Sequence, residues 1–408
     1  MQEISNEAKL ALFTARWVVH NNGVEMIEDL LTREKIKWER FKEIITYHEL
    51  FSFAYIGLKK YSHALPNEGM ELLRKSYYYC LAHQNYLWLE FLRMVDAFRD
   101  KGIDFIPLKG AAFLVDNIYG EKAYLRPMVD IDILIKKEAL PLVEKIMQEL
   151  RYGKPSKEEE ENYWKAHNYH LPFTKERQKD LSYIAEVHWA LDYKRDKPLL
   201  PCLWDRIKKF RVEDRDIYLL SPEDTLFSLA LHQRRFGKML CLKNICDTAV
   251  LLNRYKNEID WDYVLTESKT SKIRTTLYFI LAQIDTLLNV KAPSFVLRKL
   301  GIPRYKKRMI ERFILRNTFT SEPGLNSNKS LYLRSHFLLY DNIWEPIKYV
   351  LEVPLEQFAK FYRLQPYEIK TTFLYKIRYL CFIVNILFFV IREATKRVER
   401  VIDRMSKK

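Results

Sequence analysis

Two aspartates one residue apart, Asp130 and Asp132 in the run RPMVDIDILI, are the side chains best suited to chemistry. Apolar and polar positions alternate strictly through MVDIDILI, which predicts a β-strand. In a strand, side chains at i and i+2 leave the same face about 7 Å apart along the chain. Like charges on one face are unfavourable unless a cation lies between them, and Mg2+, a hard ion that prefers oxygen ligands, is the usual remedy. A third carboxylate on a neighbouring strand would complete a two-metal site, and Glu186 in SYIAEVHWAL is the best placed to supply it. His188 shares its face and would orient Glu186, touch a ligand, or serve as a hydrogen-bonded structural histidine beside Trp189. An Asp-x-Asp pair alone is equally what a solvent-facing edge strand carries. The segment upstream adds to it: the apolar run IDFIPL leads into Leu108-Lys109-Gly110 and directly into a helical pattern. A glycine there lets backbone amides approach a phosphate at the helix N-terminus, and Lys109 adds a full positive charge.

The elements that must position these residues follow from periodicity. Residues 6–101 carry apolar side chains at helical spacing, as in Trp38, Phe41, Ile44 and Ile45, then Trp88, Phe91, Leu92 and Val95. Two strands with the helix KGAAFLVDNIY between them come next, and KKEALPLVEKIMQEL returns to helix before the Gly153-Lys154-Pro155 breaker. The charged loop KPSKEEEEN leads to two further strand candidates, NYHLPFT and LSYIAEVHWAL, rich in aromatic and β-branched residues. SPEDTLFSLALHQ opens with a serine N-cap and an acidic first turn, and helical periodicity then dominates to the end. The expectation is an α+β chain with an α/β core, a small mixed sheet flanked by helical N-terminal and C-terminal parts. Its predicted divisions are residues 1–101 (helical), 102–220 (the core) and 221–408 (helical with a basic tail), the cleft lying between the sheet and the C-terminal helices.

At these residues the sequence resembles a known group. Leu108-Lys109-Gly110, Tyr119 at a helix end and Arg126 shortly before DIDILI are similar to the bacterial family of uncharacterised nucleotidyltransferases, part of the polymerase-beta-like superfamily. In that superfamily a glycine turn precedes a helix, the next strand carries Asp-x-Asp, and a later strand gives a third acid; the order here agrees. The resemblance extends to AEVHW and to LALHQRRFGKMLCLKNICDTAVLL, and covers about residues 38–253. It implies an enzyme that moves a nucleoside monophosphate from an NTP to a hydroxyl or phosphate acceptor and releases pyrophosphate. It also implies two Mg2+ ions on Asp130, Asp132 and Glu186, with Mn2+ left open as an alternative. Lys109, the Gly110 amide and Arg126 would hold the β- and γ-phosphates. His188 would touch the nucleotide, and His232, Lys243 and Asp247, on helices after the sheet, would close over base or phosphates, with ordinary helix packing as the alternative for these three. One departure matters: the superfamily usually has Gly-Ser or Gly-Gly at the turn, whereas this chain has Gly110-Ala111, so Lys109 and Arg126 would do the work of the missing hydroxyl.

Composition narrows the surroundings. With 408 residues, 48% hydrophobic, and only 10 glycines and 15 prolines, the chain has enough apolar surface for a substantial core and little room for disordered linkers. Five scattered cysteines and an N-terminus, MQEISNEAKL, without a basic-then-apolar signal fit a reducing cytoplasm. The net charge is +15, and from Lys291 to Lys408 there are 24 Lys and Arg against 10 Asp and Glu. That basic segment suits an RNA backbone, an anionic membrane surface, a phosphorylated substrate or plain solvent. The apolar run at 379–391 is short of the roughly 20 residues that span a bilayer, which leaves a peripheral membrane or partner contact, or a helix buried against the protein. No Gly-x-Ser-x-Gly, His-Glu-x-x-His, Walker loop or protein-kinase signature is present. The acceptor is unknown. The family resemblance favours a small molecule, with RNA or a protein side chain as alternatives, and a non-catalytic nucleotide- or membrane-binding scaffold is the rival from another class.

Overall fold

The computed structural model describes residues 4–20, 24–154, 165, 168–178, 181–192, 199–234, 240–319, 335, 337–342, 344–345, 377 and 380. The basic tail and most of the apolar run at 379–391 lie outside them. Among the described residues no helix is long and apolar enough to cross a membrane. Cys80, Cys202, Cys241 and Cys246 are free thiols.

The N-terminal part is helical, as the periodicity predicts: α1 (Asn6–His20), α2 (Val24–Arg33), α3 (Trp38–Tyr47), α4 (Phe51–Leu58) and the long α5 (Asn67–Asp100). Then β1 (Phe105–Pro107), α6 (Lys109–Val115), β2 (Ile131–Ile135), α7 (Leu140–Glu149), β3 (His170–Gln178) and β4 (Leu181–His188) reproduce the strand and helix order expected from the sequence. The helix after Leu108 is shorter than its pattern suggests; it ends at Val115, and Gly120–Leu125 forms a separate 3-10 turn. The four strands make one mixed sheet in the order β1-β2-β4-β3, with β2 and β4 parallel and the outer pairs antiparallel. A two-stranded hairpin, β5 (Lys208–Val212) and β6 (Arg215–Leu219), forms a second sheet, with Ile217 and Leu219 packed into the core of the first. The helices α8 (Pro222–Arg234), α9 (Leu242–Arg254), α10 (Trp261–Thr270), α11 (Arg274–Leu288), α12 (Ser294–Lys299) and α13 (Arg304–Asn317) follow. Ser221 caps α8, its Oγ accepting the Asp224 N–H at 3.1 Å, as the sequence leads one to expect.

Two apolar cores lie on opposite faces of the sheet. One is built from the C-terminal half of α5 (Leu87, Phe91, Val95, Phe98), from α7, and from Ile131, Ile133, Ile135, Leu171, Phe173, Ala185 and Val187. The other joins N-terminal and C-terminal helices, with Leu10, Phe41 and Phe53 packing in one cluster with Phe227, Ile245, Leu277 and Ile314. Leu134 belongs to this second core while its neighbours Ile133 and Ile135 belong to the first, because side chains alternate along β2. Asp132, on the Leu134 face, therefore turns toward the helical side. The length of α5 is explained by its service to both cores, Leu73 in the helical one and Leu87 to Phe98 in the other.

Candidate active site

The parallel pairing of β2 and β4 sets Asp132 directly opposite Glu186, and Leu134 opposite His188. In the antiparallel pairing of β3 with β4, His170 stands opposite His188. All of the polar members of this set lie on one sheet face, since their neighbours Ile131, Ile133, Ala185, Val187 and Leu171 fill the core behind. Among the described residues, ligand atoms of Asp132, Glu186 and His188 come within 4.8 Å of one another. His188 Nε2 lies 3.0 Å from Asp132 Oδ1 and 3.4 Å from Glu186 Oε2. Two carboxylates and an imidazole nitrogen are a donor set that fits a divalent ion.

Charge at the site is balanced from within the chain. The Lys109 ammonium donates to Asp132 Oδ1 at 2.6 Å. Lys109 is held at φ 48°, a left-handed conformation costing a non-glycine residue roughly 1–2 kcal/mol, and the Leu108 N–H pairs with the Asp132 carbonyl at 2.9 Å to fix the turn. Burial alone would push the Asp132 carboxyl up, but Lys109 and the His188 hydrogen bond outweigh it and hold the group well below the usual carboxylate range. For Glu186, burial is likewise outweighed, chiefly by the hydrogen bond with His188, and its pKa is lowered. Asp130 behaves oppositely. It precedes β2, is half-buried, stands outside the group of converging ligand atoms, and is pushed up to about 6, first by burial and then by the charge of Asp132. Lys109 and Lys243 pull it the other way.

Three of the other residues singled out in the sequence, Arg126, Asp247 and Tyr119, are anchored to one another. Arg126 donates from Nε to Asp247 Oδ1 at 2.7 Å and from Nη2 to Asp247 Oδ2 at 2.8 Å, and Tyr119 Oη donates to the same Oδ1 at 2.6 Å. Burial and the Asp247 charge push the Tyr119 hydroxyl up, so it remains the donor. Lys243 pairs with Glu49, a residue the sequence pattern does not single out, and its backbone N–H donates to the His48 carbonyl at 3.3 Å. His232 is half-buried on α8, outside the converging group. A Cβ on Gly110 would fall 2.7 Å from Met128 Sδ and 2.9 Å from Arg126 Nη1. The glycine is thus needed for the packing of the Arg126 loop against α6, a helix of seven residues. His170 is the site residue that the sequence reading misses. Its ring stacks on His188 with centroids 5.1 Å apart, and its Nε2 is 4.0 Å from Glu186 Oε1.

A small mixed sheet brings an Asp-x-Asp acid and a second-strand glutamate together on its central parallel strands, beside a Lys-Gly turn, in the order expected from the resemblance to nucleotidyltransferases. A family model for uncharacterised nucleotidyltransferases matches residues 34–289, and the chain belongs to that family. Membership supports nucleotidyl transfer as the general activity and a nucleoside triphosphate as donor. No curated protein and no solved structure matches the chain.

Proposed function

We propose that the chain transfers a nucleoside monophosphate from an NTP to a hydroxyl or phosphate of a small molecule, with Mg2+ and release of pyrophosphate. The observation that carries this reading is the register that sets Asp132 opposite Glu186 on adjacent parallel strands, with Asp130 two residues before. Asp132 and Glu186 would hold an ion, and Asp130 with Asp132 a second. Divalent ions bound there would lower the pKa of an acceptor hydroxyl and neutralise charge at the α-phosphate. Lys109 is 15% exposed, so its ammonium can turn from Asp132 to a phosphate oxygen once other positive charge reaches the carboxylate. Arg126 and Asp247, buried and paired, would act by fixing the loop that carries Asp130, with only the remaining guanidinium N–H groups left for phosphate. The surplus of basic residues after Lys291 supports a second reading, an RNA acceptor.

The test uses the full chain with each labelled NTP, Mg2+, and either a small-molecule extract or an RNA fraction. Labelled product is expected with the small-molecule fraction. Asp130→Asn and Glu186→Gln should each lower its formation on the order of a thousandfold, matching the loss of several kcal/mol of charge stabilisation. Label in the RNA fraction alone, falling steeply with salt, would select the second reading. Nucleotide binding without turnover in wild type and variants alike would make the protein a scaffold.

A further inference from the structure

The donor set on the sheet bears on which ion it holds. Glu186 and His188 are i and i+2 on β4, and Asp132 is in register with Glu186 on β2, so an ion shared by the two carboxylates meets His188 Nε2 as its next neighbour. The ring is packed on two sides. His188 is 1% exposed, stacked on His170 with an interplanar angle of 26°, and flanked by the Tyr169 ring at 5.8 Å. Mg2+ takes oxygen ligands in a strict octahedron and sheds water reluctantly, whereas an imidazole nitrogen suits Fe2+, Ni2+, Cu2+ and Zn2+, with Mn2+ the weakest of the first-row divalent series. His188 Nε2 and the Lys109 ammonium both meet Asp132 Oδ1, at 3.0 and 2.6 Å, so Nε2 becomes a ligand when its proton leaves to solvent and the ammonium turns away from the carboxylate.

We propose that His188 Nε2 is a metal ligand, and that the ion on Asp132, Glu186 and His188 is a first-row transition ion, held in preference to Mg2+, with Mn2+ as its spectroscopic probe. His170 is a positioning residue for that ring. Asp130 stands outside the nitrogen-containing group, so an ion arriving with the triphosphate on Asp130 and Asp132 meets oxygen and remains suited to Mg2+. The inference deepens the nucleotidyl-transfer reading and rests on it for the presence of an ion. Its test reads the bound ion and not turnover, so either can fail while the other stands.

The experiment is a titration of the full chain with Mn2+ in the absence of nucleotide, followed by electron paramagnetic resonance, with pulsed spectra reporting any directly bound nitrogen. Wild type is expected to show a directly coordinated imidazole nitrogen, and Mg2+ to displace Mn2+ only at roughly hundredfold excess. His188→Gln, which keeps an oxygen donor but no ring nitrogen, should abolish that coupling and weaken Mn2+ binding by at least about tenfold. His170→Gln should keep the coupling. If His188→Gln fails to fold, the wild-type spectrum and the Mg2+ competition decide alone. Absence of Mn2+ binding, a bound Mn2+ without nitrogen coupling, or equal competition by Mg2+ would each overturn the proposal.

Discussion

Arg126 and Asp247 meet through two charge-assisted hydrogen bonds, with their side chains 8% and 2% exposed. A pair this buried contributes little net stability over an apolar pair, yet breaking it by removing one partner strands the other charge without solvent. Asp247→Asn should therefore destabilise the fold by about 3–5 kcal/mol, read from urea denaturation. The double change Arg126→Met/Asp247→Leu should recover most of that loss. A residue that merely touched nucleotide would behave otherwise, raising KM while leaving the unfolding midpoint in place. Such a result would return Asp247 to the nucleotide and remove it from the loop's support. Tyr119 adds a third hydrogen bond to the same carboxylate, so the loop from Tyr119 to Asp130 is tied to α9 at two points before β2 begins.

At the scale of elements, Gly110 sits where α6 meets that loop. An added methyl would press on Met128, which can retreat, and on Arg126, which Asp247 holds in place. Gly110→Ala should cost about 1–3 kcal/mol by overpacking. Combined with Arg126→Met it should cost less than the sum of the two single changes, because the second removes the atom the methyl strikes. Strict additivity in thermal melts would show that the crowding is absorbed elsewhere. The elements themselves were largely legible. MVDIDILI announced β2 by alternation, and NYHLPFT and LSYIAEVHWAL announced β3 and β4 by their aromatic and β-branched content, because both signals are local. The hairpin was hidden, since KKFRV and RDIYL carry charges that mask the inward set Ile217 and Leu219, and its turn uses Glu213 at φ 54° in place of a glycine. Asp130, Asp132 and Glu186 could be singled out for the same local reason. His170 could not, because its place beside His188 depends on strand register, and the partners Asp247 and Glu49 are 121 residues from Arg126 and 194 from Lys243. No periodicity encodes such distances.

Across the whole molecule, one helical core joins the chain's beginning to helices after the sheet, and His48 lies at that seam. It follows α3, is 1% exposed, accepts the Leu242 N–H on Nδ1 at 3.2 Å, and gives its carbonyl to the N–H of Lys243 and the thiol of Cys241. The rings of Tyr47 and Phe319 pack edge-on against it, and no carboxylate is among these neighbours to receive a protonated imidazole. Burial pushes its pKa down to about 3. An unfolded histidine takes a proton near pH 6.5, so above that value the ring is neutral in both states and stability is intact. As pH falls below it, the unfolded chain binds a proton that the folded one refuses, and stability drops by about 1.4 kcal/mol per pH unit from this group until the folded pKa is reached. His48→Gln can still accept the Leu242 N–H but does not titrate. Between pH 6.5 and 5, before most carboxylates protonate, the free energy of unfolding of wild type should therefore fall more steeply than that of the variant, by close to one proton's slope. Equal slopes would mean that His48 takes its proton without leaving the seam.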